Sequence, residues 1–468
     1  MKKNDEKVGI VCALGSNGEG IVKQDGIVVF LPFTLVGEKV RYKVLKVTNK
    51  YAYGKVLEIY APAEIRERPA CSVFGKCGGC QLQHVRYFNQ LKLKEENVAT
   101  CLKKIANIDV EVKPAIKGEN CFRYRNKLQL PVSASPIGTI IGFYAENSHR
   151  VVPIDDCLIN AEWTPSVIKA FKRYVEELKI LGYDETTNTG ELREITVKEV
   201  KGNLIITAVV LNENLRGVDR LIEILKEDVK YNFSLYLNVN NRDTNVIYGD
   251  KFILVHGPGT YTGDMLGIKY NIGVQSFMQV NPSVCSKLYS AVRTAVDADE
   301  NTTVIDAYSG AGLMTALLAK NAKKAIGIEI VQEAVKCADQ LACVNKLKDK
   351  ITNYCGKCED LLPAIIEKEK QLGNKTCLVL DPPRKGCDIK VINSIIKNDI
   401  DKIVYVSCKP STLARDLGLL VGTLECVDGA IKKVENPTLR YEVSFVRPFD
   451  MFAQTKHVET LVCLTKIK

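Results

Sequence analysis

From residue 302 the chain runs through apolar segments separated by helical stretches: TTVIDAY, GLMTALLAKN, KAIGIEI, VQEAVKCADQLACVNKL, CLVLDPP and KIVYVSC. Runs that are apolar throughout, rather than in alternation, read as strands buried on both faces, with the helical segments supplying the cover. The pattern predicts an α/β fold built on a doubly wound parallel sheet. It also predicts where chemistry would lie, because open α/β sheets hold ligands beyond the carboxyl ends of their strands. Asp306, Glu329, Asp381 and Cys408 stand at such ends. Three acids and a thiol along one edge describe a cleft.

The segment VIDAYSGAGLMTALLAK reads as strand, glycine turn and helix, with Gly310 and Gly312 letting the backbone close on a ligand. Glu329 ends the next strand, where it would accept hydrogen bonds from ribose hydroxyls of NAD or S-adenosylmethionine. Thr315 stands where the dinucleotide fingerprint has its third glycine. Cys408 precedes Lys409 and a helix opening Pro410-Ser411-Thr412, and both the cation and the helix start favour a thiolate. Glu459, in TKHVETLVCL, is an acid just ahead of an apolar strand.

At 468 residues the chain is too long for one ordinary core. Residues 8–60 read as short strands with glycine punctuation, fitting a small barrel of about five strands. Such a barrel is either an RNA-binding module or a folded appendage. YAPAEIRERPAC follows as a proline-bearing connector, and the chain to about residue 270 mixes helices with strands. Lys and Arg outnumber Asp and Glu by 65 to 55, an excess that suits a polyanionic partner or solubility alone. No signal peptide and no membrane span are read, so no membrane partner is expected.

The chain has 17 cysteines. In CSVFGKCGGCQLQH, Cys71, Cys77 and Cys80 are spaced as metal ligands, and Cys157 in PIDDCLI is the best fourth. The spacing suits an iron-sulfur centre or structural zinc equally. Cys355 and Cys358 read as ordinary thiols. In CFRYRNKLQL, alternation would put Arg123, Arg125 and Lys127 on one strand face for phosphates, with Phe122, Tyr124 and Leu128 opposite.

Together these segments resemble the RNA uracil-5-methyltransferase family, especially its iron-sulfur 23S rRNA members, over nearly the whole chain. The resemblance implies an OB-like TRAM barrel over residues 1–61, a central α+β iron-sulfur and RNA-binding domain over 62–272, and a Rossmann-like methyltransferase domain over 273–468. It implies a [4Fe-4S] cluster on Cys71, Cys77, Cys80 and Cys157. It also implies S-adenosyl-L-methionine held by Gln279 of SFMQVNP and by Tyr308, Glu329 and Asp381. VSCKPSTLARD resembles the nucleophile motif and HVETLVCL the closing motif, which makes Cys408 the attacking thiol and Glu459 the base. The chain departs from the family at Ser309-Gly310, where cysteine-glycine is common, and at Lys409, where asparagine is usual.

The expected activity is methyl transfer to C5 of a uridine in 23S rRNA, by a cytoplasmic monomer. Transfer to a tRNA uridine, or a non-catalytic RNA-binding or chaperone role, are the alternatives. The chemistry explains the thiol: uracil C5 is a poor nucleophile until a thiolate adds to C6, after which a base must remove the C5 proton.

Overall fold

The structure is a computed structural model that describes residues 1–15, 17–398 and 400–467. Three sheets organise it. The first has six strands in the order Glu6–Ile10, Lys39–Val47, Tyr51–Ala61, Ile27–Leu31, Gly20–Gln24 and Ala13–Leu14. Strict alternation in Lys39–Val47 sends Val40, Tyr42 and Val44 inward onto Val22, Val29 and Leu31. The sheet curls tightly enough that a Cβ on Gly9 would lie 2.5 Å from Val22. On the outer face the rings of Phe30, Tyr51 and Tyr53 pack within 6 Å of one another, with both tyrosines exposed.

The central sheet has seven strands in the order Lys251–His256, Asn232–Val239, Asn203–Val210, Leu192–Val200, Lys127–Ser135, Gly138–Tyr144 and Val151–Pro153. Helices Thr164–Leu178 and Val218–Asp228 pack against it around Trp163, Phe171 and Tyr174.

The third sheet positions the site. Its order is Ile351–Cys355, Lys324–Glu329, Thr302–Ala307, Lys375–Leu380, Lys402–Ser407, Glu459–Lys466 and Tyr441–Phe449. The first five strands run parallel, as their unbroken apolar composition predicts. Glu459–Lys466 then lies antiparallel against both its neighbours, so the sheet is mixed rather than wholly parallel. Helices cover both faces, one core containing Leu380, Tyr405 and Leu417, the other Val284, Val379 and Leu461.

Residues well before the central sheet complete this third unit. Helix Tyr87–Ala106 lays Val98, Leu102 and Ala106 into the core around Tyr405 and Leu417. Just beyond it, the Lys113 and Ile116 amides donate to the carbonyls of Val446 and Pro448, covering the edge strand Tyr441–Phe449. The pairing caps the 446–449 end of that edge. No described helix is long and apolar enough to cross a membrane.

Candidate active site

Strand Thr302–Ala307 ends in Tyr308, whose φ of 68° is left-handed and uncommon for a side-chain-bearing residue. Gly310 and Gly312 follow with φ of 55° and 79°. At Gly312 a Cβ would come within 2.7 Å of the Ala338 Cβ, so only glycine lets the turn pack on helix Gln332–Val344. The turn lines a cavity with Gln279 and Asp381, so three of the four residues predicted to hold the cofactor share one space. The fourth, Glu329, faces the same turn: its carboxylate accepts the Gly310 N–H at 3.0 Å and the Val331 N–H at 2.9 Å.

Asp306 borders this cavity but is only 2% exposed. Its carboxylate accepts the Thr315 hydroxyl at 2.5 Å, and burial raises it to about 7. That bond explains why threonine replaces the third glycine of the fingerprint. The Tyr308 hydroxyl meets the thiols of Cys358 and Cys387, and burial drives its ionisation far above the phenol range. Cys358 is thus a buried packing thiol, pushed up to about 12, while Cys355 is exposed.

Register builds the second half of the site. Parallel pairing sets Leu380 opposite Tyr405, so Asp381 leaves its strand level with Val406. Antiparallel pairing sets Ser407 opposite Thr460, which brings Cys408 level with Glu459. Burial lifts the Glu459 carboxyl above the usual range, the Asp381 charge adds to the rise, and Arg384 opposes it. Asp381 is exposed to the cleft, and two acids this close resist being ionised together.

Cys408 is half-buried. Burial raises its thiol, Glu459 and Asp381 raise it further, and charge and hydrogen bonding from Arg384 act downward. This corrects the expectation of a thiolate favoured by Lys409 and the helix start. The Lys409 side chain is exposed, and desolvation beside two acids outweighs the cation that does face the sulfur. Arg384 escaped sequence reasoning although it lies within the quoted DPPRKG. His457 was also missed: burial, then Arg384, Lys456, Lys94 and Arg125, lower it to about 4, so it is neutral at pH 7.

Replacing Arg384 with Met should therefore move the midpoint of Cys408 alkylation by iodoacetamide upward by about one pH unit. Mass spectrometry of the peptide containing Cys408 reads this directly. An unmoved midpoint would separate the guanidinium from the sulfur.

The four other cysteines also converge. Cys71, Cys77, Cys80 and Cys157 line one cavity of about 650 Å³, together with Arg125 and Lys127. Burial raises the Cys77, Cys80 and Cys157 thiols, Cys80 to about 12, and charge on neighbouring members of the set adds to each. The Gly79 N–H donates to the Cys77 sulfur at 3.3 Å. Among the described residues no three His, Cys, Asp or Glu side chains are grouped to hold a single metal ion. His84, next to the motif, is buried against Phe33 and Phe74 as a core residue.

The basic strand face of CFRYRNKLQL is not what alternation predicts. The strand begins only at Lys127, and Arg123 has a left-handed φ of 53°. Its guanidinium grips both Asp156 oxygens at 2.8 and 2.5 Å and the Cys157 carbonyl at 3.3 Å, which fixes the loop of the fourth cysteine. Tyr124 is buried, its hydroxyl donating to the Ala453 carbonyl, and cannot stack on a base.

Comparison with known proteins agrees with this geometry. The profile of the tRNA (uracil-5-)-methyltransferase family matches residues 261–467, and that of the TRAM domain matches residues 10–57. An uncharacterized RNA methyltransferase of Clostridium acetobutylicum is 37% identical over 100% of this chain and 98% of its own. One of Halalkalibacterium halodurans is 37% identical over 99% of this chain and 98% of its own. Among solved structures, the Pyrococcus abyssi tRNA (uracil-54, C5)-methyltransferase with S-adenosyl-L-homocysteine shares the fold. Its TM-score is 0.74 at 24% identity, covering 98% of this chain and 100% of that one. With relatives matched end to end and a glycine turn, thiol and acids on one sheet edge, the chain belongs to the S-adenosylmethionine-dependent RNA uracil-5-methyltransferase family.

Proposed function

We propose that the protein methylates C5 of a uridine in 23S rRNA through a covalent bond between Cys408 and C6 of the base. The observation that carries the covalent step is the strand register, which sets Cys408 level with Glu459 and close to Asp381, beside the cavity of the glycine turn. The four-cysteine set beside a TRAM domain is what favours 23S rRNA over tRNA. S-adenosylmethionine, the second substrate, supplies an electrophilic methyl group. Gln279, Tyr308, Glu329 and Asp381 are the residues proposed to hold it.

The half-buried Cys408 thiol gives its proton to solvent, the resulting thiolate forms the Sγ–C6 bond, and the displaced electron pair makes C5 an enolate carbon. C5 then takes the methyl group, and S-adenosylhomocysteine departs. Glu459 removes the C5 proton, the electron pair restores the C5–C6 double bond, and Cys408 leaves as thiolate. Arg384 steadies that thiolate. A carboxyl shifted upward by burial is a stronger base than an exposed one, and proton removal requires this.

The four-thiol cavity suits a [4Fe-4S] cluster on Cys71, Cys77, Cys80 and Cys157. The donors are all sulfur, and the space exceeds that of one ion. Protein isolated without oxygen should be brown with about four irons per chain, and Cys80→Ser should lose most of them. Stoichiometric zinc in the native protein would overturn the assignment.

The exposed Tyr51 and Tyr53 on the outer face of the first sheet suit contact with unstacked bases. A ribosomal substrate places the protein in the cytoplasm, acting as a monomer. Mapping 5-methyluridine in cells with and without the gene tests the substrate. The expected result is loss of the modification from 23S rRNA. Loss from tRNA alone would reassign the substrate, and no loss in either would end the proposal.

A further inference from the structure

The loop 450–458 carries the chain from the edge strand to Glu459, and its two halves are held differently. Its start is pinned to helix Tyr87–Ala106: Lys94 donates to Asp450 at 2.5 Å and to the Phe452 carbonyl at 3.1 Å, and the Tyr87 hydroxyl donates to Asp450 at 2.7 Å. Its middle is Gln454, buried and left-handed with φ of 68°. Such a backbone persists only where its surroundings hold it. Gln90 donates to the Gln454 side chain at 2.9 Å and accepts its N–H at 3.2 Å.

Beside the Tyr124 hydroxyl on the Ala453 carbonyl and the Lys456 ammonium on Asn17, further ties come from the cysteine loop. The Gln454 carbonyl accepts the N–H groups of Gln81 at 3.2 Å and Leu82 at 3.0 Å. The Gln81 side chain then spans the gap between the two loops. Its amide donates to the Gly78 carbonyl at 2.8 Å, and its oxygen accepts the Lys456 N–H at 3.4 Å. Gly78 lies between Cys77 and Cys80, and Lys456 lies three residues before Glu459. One side chain thus joins the four-thiol cavity to the segment that carries the acid.

We propose that Gln81 is a positioning residue: it transmits the ordering of the four-thiol loop to the 450–458 loop and so fixes Glu459 against Cys408. This rests on the reading of Glu459 as base and of the four thiols as one ligand set. It gives those thiols a part in a reaction that needs no electron. Whatever centre draws Cys77 and Cys80 together holds Gly78, through Gly78 Gln81, and through Gln81 the end of the catalytic loop. Nucleophilic attack by Cys408, which sits on a different strand, does not depend on this joint; proton removal does.

The test is Gln81→Met, which keeps bulk and removes both amide contacts. Iron content should be unchanged, and hydrogen exchange at the Lys456 and His457 amides should quicken by at least about tenfold, with strand Lys402–Ser407 unaltered. The kcat should fall by about tenfold to a hundredfold at constant KM for S-adenosylmethionine, with covalent RNA adduct accumulating. Cys80→Ser should quicken the same amides in the native chain and add nothing in the Gln81→Met background.

Native exchange with native turnover would overturn the proposal. So would loss of iron in parallel with turnover, or faster exchange spread over the whole third sheet, since either makes Gln81 merely structural. Glu459→Gln run alongside separates the two layers. If that variant forms no adduct the base assignment fails, whereas the exchange result still decides whether Gln81 couples the loops.

Discussion

Cys408→Ala should lose at least about a thousandfold in methyl transfer while binding S-adenosylhomocysteine as the native protein does. Without the sulfur no bond forms at C6, C5 never gains carbanion character, and no other group in the cluster replaces it. Asp381 and Glu459 are carboxyls, far weaker nucleophiles than a thiolate, and Arg384 is a cation. The cavity proposed for the cofactor is lined by Gln279, Tyr308, Asp381 and their neighbours, and the thiol lies outside that lining. Deleting a sulfur from a half-buried position removes little packing, so the fold should stand. Calorimetric titration with S-adenosylhomocysteine, beside methyl incorporation into RNA, separates binding from chemistry. Turnover at the native rate would remove Cys408 from the mechanism.

Glu459→Gln should stop the reaction one step later. The thiol still adds and the methyl group still arrives, but the amide cannot take the C5 proton, so the RNA stays attached to Cys408. A band of protein plus RNA surviving a denaturing gel is the expected sign, with net turnover down by at least about a hundredfold. The substitution should not weaken the fold at neutral pH. The carboxyl titrates higher in the folded chain than unfolded, so in the native protein it disfavours folding once the pH exceeds its unfolded value, reaching the full penalty above about 8. Glutamine carries no such penalty. A melting temperature at pH 8 no lower than native, with adduct on the gel, is the combined expectation; a variant that turns over freely would return the search for the base to Asp381.

The strand ends were legible because their chemistry is local. An apolar run closing on Asp306, Glu329, Asp381 or Cys408 can be read from neighbouring letters, and a parallel sheet dictates which end holds the ligand. Glu459 was legible only by resemblance. It reaches Cys408 through antiparallel pairing between segments more than fifty residues apart, and nothing in TKHVETLVCL announces its partner. Arg384 went unread for the opposite reason: it sits in a quoted motif, but its direction depends on how the chain turns after Pro382 and Pro383. Arg123 misled because period-two alternation was assumed across a left-handed residue, where the strand had not yet begun. The four cysteines were legible as a set, while the path from Gly78 to Lys456 crosses nearly four hundred positions and has no sequence signature.

Helix Tyr87–Ala106 and the pairing of residues 113 and 116 with the edge strand govern how this protein can be taken apart or recombined. A fragment starting near residue 273 would present a bare apolar face where Leu102 and Ala106 belong, together with the unpaired carbonyls of Val446 and Pro448. It would clump rather than catalyse. The seven-stranded middle portion is threaded into the catalytic body as an insert, leaving and re-entering it. Because Cys157 lies in that insert and Cys71, Cys77 and Cys80 lie outside it, an exchange cut near residues 117 and 260 would divide the four-thiol cavity, so the insert and the 71–80 loop have to travel together.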